Sequence, residues 1–335
     1  MYSFSSITPS ITRITIAAAV GAALHVGQGD LNAVDRKAVE FARVMLNHMQ
    51  VNGEVICCEG PTDNAPAFAR REKVGKGYGP ELEFIIDPAD GTNAIAKGLK
   101  DGISALACAP KDHLQVMPDD GYYYKIAAGS QCKGQLSMDM TVEEIVETVA
   151  SCKGKLLENL TVIMLDRERH QGILRKLREL GVRISLIPDG DIAASVVTCL
   201  PDSGVDLLLG AGKGPEATIA ATAVKCLGGT MLVKVYRDEK DDEGRLLRLK
   251  EAGVDVDKVY SQVDLAIGDR MVFSASGITN GELLNGIKFT STGAIVNSLN
   301  VRLPSGTLEL STTTLSFEGH PVYKRFKKMY TNQTR

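Results

Sequence analysis

Short apolar runs that stop at an acidic residue recur along this chain, and that recurrence limits its fold more than any other feature. The run Gly53–Cys58 (GEVICC) delivers Glu59 and then Asp63, Leu82–Ile86 (LEFII) stops at Asp87, and Val182–Ile187 delivers Asp189 and Asp191. Such runs, bounded by Gly, Pro or Asp, read as buried strands, and a further one covers Ser104–Ala109. Chemistry gathers where strands of this kind end.

Helical spacing surrounds them. Apolar periodicity predicts helices over Ile14–Leu24 and Asn32–Met49, parted by the turn Gly27–Gly29, which places Asp30 and Asp35 near a helix start. After a polar hairpin region at Tyr122–Leu136 comes a helix at Val142–Ala150. Strand and helix then alternate: Leu160–Leu165, His170–Leu180, Val182–Ile187, Val205–Gly210 and Glu216–Leu227. Alternation predicts an α/β fold with a parallel sheet. With 335 residues there is room for two domains, and the change of pattern puts the boundary near Leu157, giving 1–157 and 158–335.

A net charge of -3 provides no basic surplus for a phosphate backbone, and with no Trp there are few stacking platforms, so nucleic acid is not an expected partner. Seven scattered Cys without a C-x-x-C pair suggest neither a disulfide framework nor a zinc site. The apolar stretch Ile14–Val26 is shorter than the roughly 20 residues needed to span a bilayer. With Arg13 as its one preceding positive charge and no A-x-A pattern after it, it reads as a first helix rather than a targeting signal. These features predict no membrane partner and a cytoplasmic location, with a plastid or another organelle as the alternative.

The segment Phe84–Thr92 (FIIDPADGT) carries the most chemistry. A strand that stops at Asp87, with Pro88 turning the chain, can aim Asp87 and Asp90 into one pocket, and hard cations such as Mg²⁺ bind carboxylate oxygens and phosphates. The Gly91 and Thr92 amides at a helix start can face an anion. An Asp-Pro turn capped by Thr is the plain alternative. If several strand-end acids share a pocket, each pair 4 Å apart repels by about 4 kcal/mol at an effective dielectric of 20, and bound cations remove the conflict. Asp202, Asp206 and the run Arg237–Lys250 read instead as solvated caps and surface charge.

Together and in this order, GQGDLNAVD, CEGPTDNAP, DPADGT, PDD-GYYYK, DRERH, PDGDIAAS and GKGPEAT resemble the class II fructose-1,6-bisphosphatases of the lithium-sensitive, metal-dependent phosphatase superfamily. The resemblance implies a layered α-β-α-β-α architecture, an N-terminal α+β domain packed on a C-terminal Rossmann-like domain with the active site in the cleft. It implies Mg²⁺ or Mn²⁺ held by Asp35, Glu59, Asp87, Asp90 and Glu216, with Asp63 and Thr92 activating the attacking water. Contacts to the sugar bisphosphate are implied for Gly91, Thr92, Tyr122, Arg167, Arg169, Asp189 and Asp191, and the assembly for a homodimer or homotetramer.

Asp90 stands where bacterial members usually carry Glu, and Arg167 resembles the dual branch that also cleaves sedoheptulose 1,7-bisphosphate. An inositol-phosphate or nucleotide phosphatase, or a catalytically silent metabolite-binding homologue, are the other readings. His170 either starts a helix or gives a proton to the leaving group. Cys57 and Cys58 either pack as inert apolar groups or couple oxidation to activity.

Overall fold

The computed structural model describes residues 4–58, 68–237, 243–319 and 323–324. It begins with helices α1 (Phe4–Ala23) and α2 (Leu31–Leu46), then strands β1 (Asn52–Cys58), β2 (Glu72–Val74) and β3 (Glu81–Asp90), the short helix α3 (Thr92–Ala96), and β4 (Ile103–Pro110). There follow β5 (Tyr123–Ala128), α4 (Val142–Lys153), β6 (Thr161–Leu165), α5 (Gln171–Glu179), β7 (Arg183–Ile187), α6 (Asp191–Val197), β8 (Leu207–Gly212) and α7 (Gly214–Cys226). The remainder is β9 (Thr230–Val235), α8 (Glu243–Glu251), β10 (Tyr260–Ser261), α9 (Gln262–Leu265), β11 (Met271–Gly277), β12 (Lys288–Phe289), β13 (Gly293–Leu303) and β14 (Thr307–Ser316). The fold class is α/β, built on two mixed sheets.

The chain divides into two compact units, 1–111 with 270–335, and 112–269. This differs from the boundary expected near Leu157, and strand pairing is the reason. β5 lies between β8 and β9 in the second sheet, while β11 returns to pair with β4 in the first. A change of periodicity along a chain cannot register such a return.

In the first unit the sheet runs β12-β13-β11-β4-β3-β1-β2, with β14 on the other side of β13. Helix α1 packs against α2 and against β11, β13 and β4. It starts ten residues before the expected Ile14, and Thr8 and Thr12 in its Ser/Thr-rich opening are buried rather than solvated. Thr15 exchanges hydrogen bonds with Ser274 and Ser276 at 3.1 and 2.9 Å, and Thr12 donates to Asn300 Oδ1 at 2.9 Å. Apolar periodicity cannot detect a helix face that docks through hydroxyls. α2 starts where expected, because Asp30 Oδ1 accepts the Ala33 N–H at 2.9 Å and caps it.

The second sheet has the order β10-β9-β5-β8-β6-β7. β6 is parallel to β7 and β8, as the alternation predicts, but β5 is antiparallel to both its neighbours. The expected helix at His170 begins one residue later, with His170 as its cap. No helix among the described residues is long and apolar enough to cross a membrane.

Asp206 departs from its reading as a solvated cap. It is 3% exposed, accepts the Thr161 N–H at 2.9 Å, and pairs with Lys155 at 2.7 Å and Lys153 at 3.1 Å. Burial pushes its carboxyl pKa up, but the hydrogen bonds from Lys155, Thr161 and Lys153 together hold it below the ordinary aspartate value. A carboxyl with a depressed folded pKa stabilises the fold above its unfolded pKa and loses that contribution as pH falls through the folded value. Asp206→Asn should therefore lower unfolding free energy at pH 7 by about 3 kcal/mol. Urea unfolding should show that difference shrinking as pH falls below the ordinary aspartate range, and a gap that persists there would contradict the assignment.

Candidate active site

Strand β3 does not stop at Asp87 but continues through Pro88 to Asp90. Its register with β4 shifts there. Asp87 pairs with Ala105 and Asp90 with Ile103, so Pro88 and Ala89 together face Ser104 alone. This is a bulge, a sheet position where a proline, lacking an N–H for the ladder, is accommodated. It also decides where the acids point. In a regular strand residues three apart project to opposite faces, and one extra residue returns them to the same side.

Asp87 and Asp90 are each 2% exposed. Asp87 Oδ1 accepts the Ala89 N–H at 3.1 Å across the bulge. Gly91 follows with φ 86°, a left-handed turn that leads directly into α3 and that a side chain would strain. Thr92, the first residue of α3, has its hydroxyl 2.8 Å from Asp35 Oδ1 and 2.9 Å from the Ala89 carbonyl oxygen. Both are acceptors, so the single hydroxyl proton is committed to them and the lone pairs of Oγ1 remain as acceptors. Asp35 reaches Thr92 from α2, one turn beyond its Asp30 cap.

Glu216 lies in the first turn of α7 and is buried. The GKGPEAT segment has a steric rationale. A Cβ at Gly214 would fall 2.3 Å from the Pro118 carbonyl oxygen, and Pro215 opens the helix with its φ already suited to it. Asp87 and Asp90 bring carboxylate oxygens within 4.8 Å of each other and could hold a metal ion, while Glu216 is a buried acid at the start of α7 in the second unit. An all-oxygen, carboxylate-rich donor set suits a hard divalent cation. Asp35, expected among the metal ligands, accepts the Thr92 hydroxyl on Oδ1. Glu59 and Asp63 lie outside the described residues.

In the second unit, Arg169 and Asp191, two of the expected sugar-phosphate contacts, lie against the end of β8. Arg169 donates from Nη2 and Nε to the Ala211 carbonyl oxygen at 2.6 and 3.1 Å, and its guanidinium lies 3.8 Å from the centre of the Tyr122 ring. Burial lowers its pKa from the ordinary arginine value. Tyr122 is exposed, whereas Tyr123 is buried with its hydroxyl donating to Pro118 O. The turn before Tyr122 is held by α8, the segment read as surface charge. Arg245, 8% exposed, donates to the carbonyls of Asp120, Tyr122 and Tyr236, and Arg248 grips the Asp120 carboxylate.

Arg167 donates to Asp189 Oδ1 at 3.1 Å and to Pro188 O at 2.6 Å. Asp191, the first residue of α6, is buried and accepts from Lys125 Nζ at 2.6 Å. Lys125 was not among the expected site residues. Its signal was a single cation inside the otherwise uncharged strand YYYKIAA.

His170 is not placed to protonate a leaving group. It is 1% exposed, Nδ1 donates to Leu165 O at 2.8 Å, and Nε2 accepts the Ala211 N–H at 2.7 Å. Both ring nitrogens are thus committed to backbone in the neutral form, and burial lowers the pKa in the same direction. Cys57 is half-buried on β1 and in no disulfide, while the Cys58 side chain lies outside the described residues.

A family model described as bacterial fructose-1,6-bisphosphatase, glpX-encoded, matches residues 5–314. The fructose-1,6-bisphosphatase class 2 of Haemophilus influenzae is 38% identical over 307 residues, covering 89% of this chain and 92% of that protein. The Escherichia coli K12 fructose-1,6-bisphosphatase 1 class 2 is 36% identical over 307 residues, covering 89% of this chain and 91% of that one. With a family model over residues 5–314 and near full-length relatives in agreement, the chain belongs to the bacterial, glpX-encoded class II fructose-1,6-bisphosphatase family.

Proposed function

We propose that this chain hydrolyses the 1-phosphate of fructose 1,6-bisphosphate, releasing fructose 6-phosphate and inorganic phosphate. The observation that carries the reading is the buried pair Asp87 and Asp90, with carboxylate oxygens within 4.8 Å of each other, in a chain whose relatives bear that enzyme name. Two ionised carboxylates so close, in surroundings poorer than water at screening charge, repel strongly until a cation is shared between them. Mg²⁺ or Mn²⁺ fits the all-oxygen donors, and when bound it supplies Lewis-acid polarisation of the phosphoryl group.

The protein's own groups supply position and proton handling. Thr92, its hydroxyl proton turned to Asp35 or Ala89 O, can accept a hydrogen bond from a water and orient that water toward phosphorus. Glu59 and Asp63 complete the metal and water-activating set in this reading, and Gly91 leaves backbone room for the phosphate. Tyr122, Arg167 and Arg169 receive the distal phosphate, since a guanidinium fork matches phosphate oxygens, and Asp189 and Asp191 accept sugar hydroxyls.

Asp87→Asn should lower kcat/KM for fructose 1,6-bisphosphate by roughly 10²-fold or more. It should also raise the melting temperature of the metal-free protein, because one member of a repelling set becomes neutral, and shrink the increase that Mg²⁺ produces. An Asp87→Asn protein with wild-type turnover and an unchanged metal response would refute the ligand assignment.

Chelation should abolish phosphate release from fructose 1,6-bisphosphate, and added Mg²⁺ or Mn²⁺ should restore it, with inositol 1-phosphate a far poorer substrate. Release that survives exhaustive chelation would exclude the metal-dependent reading. Thr92→Val, which keeps the shape but removes the hydroxyl, should reduce kcat on the order of 10²-fold with KM little changed. A mutant affected only in KM would move Thr92 from chemistry to binding.

A further inference from the structure

Lys125 is wholly buried, in the middle of the second sheet, between β8 and β9. Its Nζ is 2.6 Å from Asp191 Oδ2, and the pair sits against Gly212, where a Cβ would fall 1.8 Å from that same oxygen and 2.9 Å from Nζ. The other oxygen, Asp191 Oδ1, is buried and has no hydrogen-bond partner among the described residues. A buried carboxylate oxygen without a donor is costly, and an ion pair in the same place gives little stability over an apolar pair of equal volume. Stability alone therefore does not account for this arrangement.

We infer that Lys125 is a positioning residue for sugar recognition: it caps Asp191 Oδ2 and so leaves Oδ1 in one fixed orientation to accept a hydroxyl of the sugar bisphosphate. The inference rests on the activity proposed above and adds to it the residue that orients one of its acceptors. One carboxylate oxygen is bound by a cation, the backbone of Gly212 blocks rotation toward β8, and the remaining oxygen accepts from a neutral O–H donor. A polyol satisfies that oxygen. A second anion does not.

The test is steady-state kinetics on fructose 1,6-bisphosphate with calorimetric binding of fructose 6-phosphate. Lys125→Met should raise KM and weaken product binding by roughly 10-fold or more, with kcat within about threefold of wild type. Asp191→Asn should behave alike, and Lys125→Met/Asp191→Asn should be no worse than Asp191→Asn, because both changes remove one interaction. Gly212→Ala, which keeps both charged groups but displaces the carboxylate, should give the same KM phenotype.

If Lys125→Met alone does not fold, the double variant, which leaves no unpaired charge, is compared with Asp191→Asn, where equal KM supports the inference and a further rise overturns it. Wild-type KM in Lys125→Met, or effects that multiply in the double variant, also overturns it. A wild-type protein inactive on fructose 1,6-bisphosphate would instead remove the activity on which the inference stands.

Discussion

Two like charges placed side by side inside a sheet govern how the first unit is built. Asp87 and Asp90 are buried on one strand with carboxylate oxygens within 4.8 Å of each other, and at that range two ionised carboxylates repel by several kcal/mol at a protein-like dielectric, about 4 kcal/mol at 4 Å. A fold keeps such a pair only when its backbone leaves no alternative and a cation can settle the conflict. The bulge leaves no alternative: Pro88 supplies the extra residue, Asp87 closes on the Ala89 N–H, and Gly91 turns the chain into α3. Thr92 and Asp35 then follow from the direction that turn imposes.

The second unit solves a different problem, that of holding cations and polar groups where a strand ends. Ala211 uses both of its backbone groups on side chains, its N–H on His170 and its carbonyl on Arg169. Its neighbours on either side are glycines, and each makes room for a functional group: a Cβ at Gly210 would press on the His170 ring at 3.0 Å, and one at Gly212 would overlap the Asp191 carboxylate. The end of β8 is thus a hub on which Arg169, His170, Asp191 and Lys125 are assembled. The residue with the most reactive reputation, His170, serves there as a structural strut.

The close pair Asp87 and Asp90 could be read from the residues because an apolar strand run leads into them. An apolar run that halts at an acid marks a strand near its end, though β3 runs on through Asp87 to Asp90, and the order of the motifs carried the family. What periodicity could not supply were features made by partners distant in the chain. Thr12 and Thr15 look like surface residues until Asn300, Ser274 and Ser276 meet them, and Asp206 looks like a solvated cap until Lys153 and Lys155 surround it. Arg245 stands in a strongly charged run, yet it is buried as the clamp on the turn before Tyr122.

By itself the sequence determined which acids follow apolar strand runs, where helix α2 is capped, that glycine stands at the tight turns, and, through the order of its motifs, that the chain is an α/β phosphatase of this family. Those are local properties, set by side-chain chemistry and by φ/ψ preferences within a few residues. Only the tertiary structure decided that β3 bulges rather than stops, that Asp35 answers Thr92, that Lys125 is the partner of Asp191, and that the last strands return to the first sheet. Each of these depends on a group dozens of residues away or on a register between strands, and the energy of a register is shared by both strands, so neither one's sequence contains it alone.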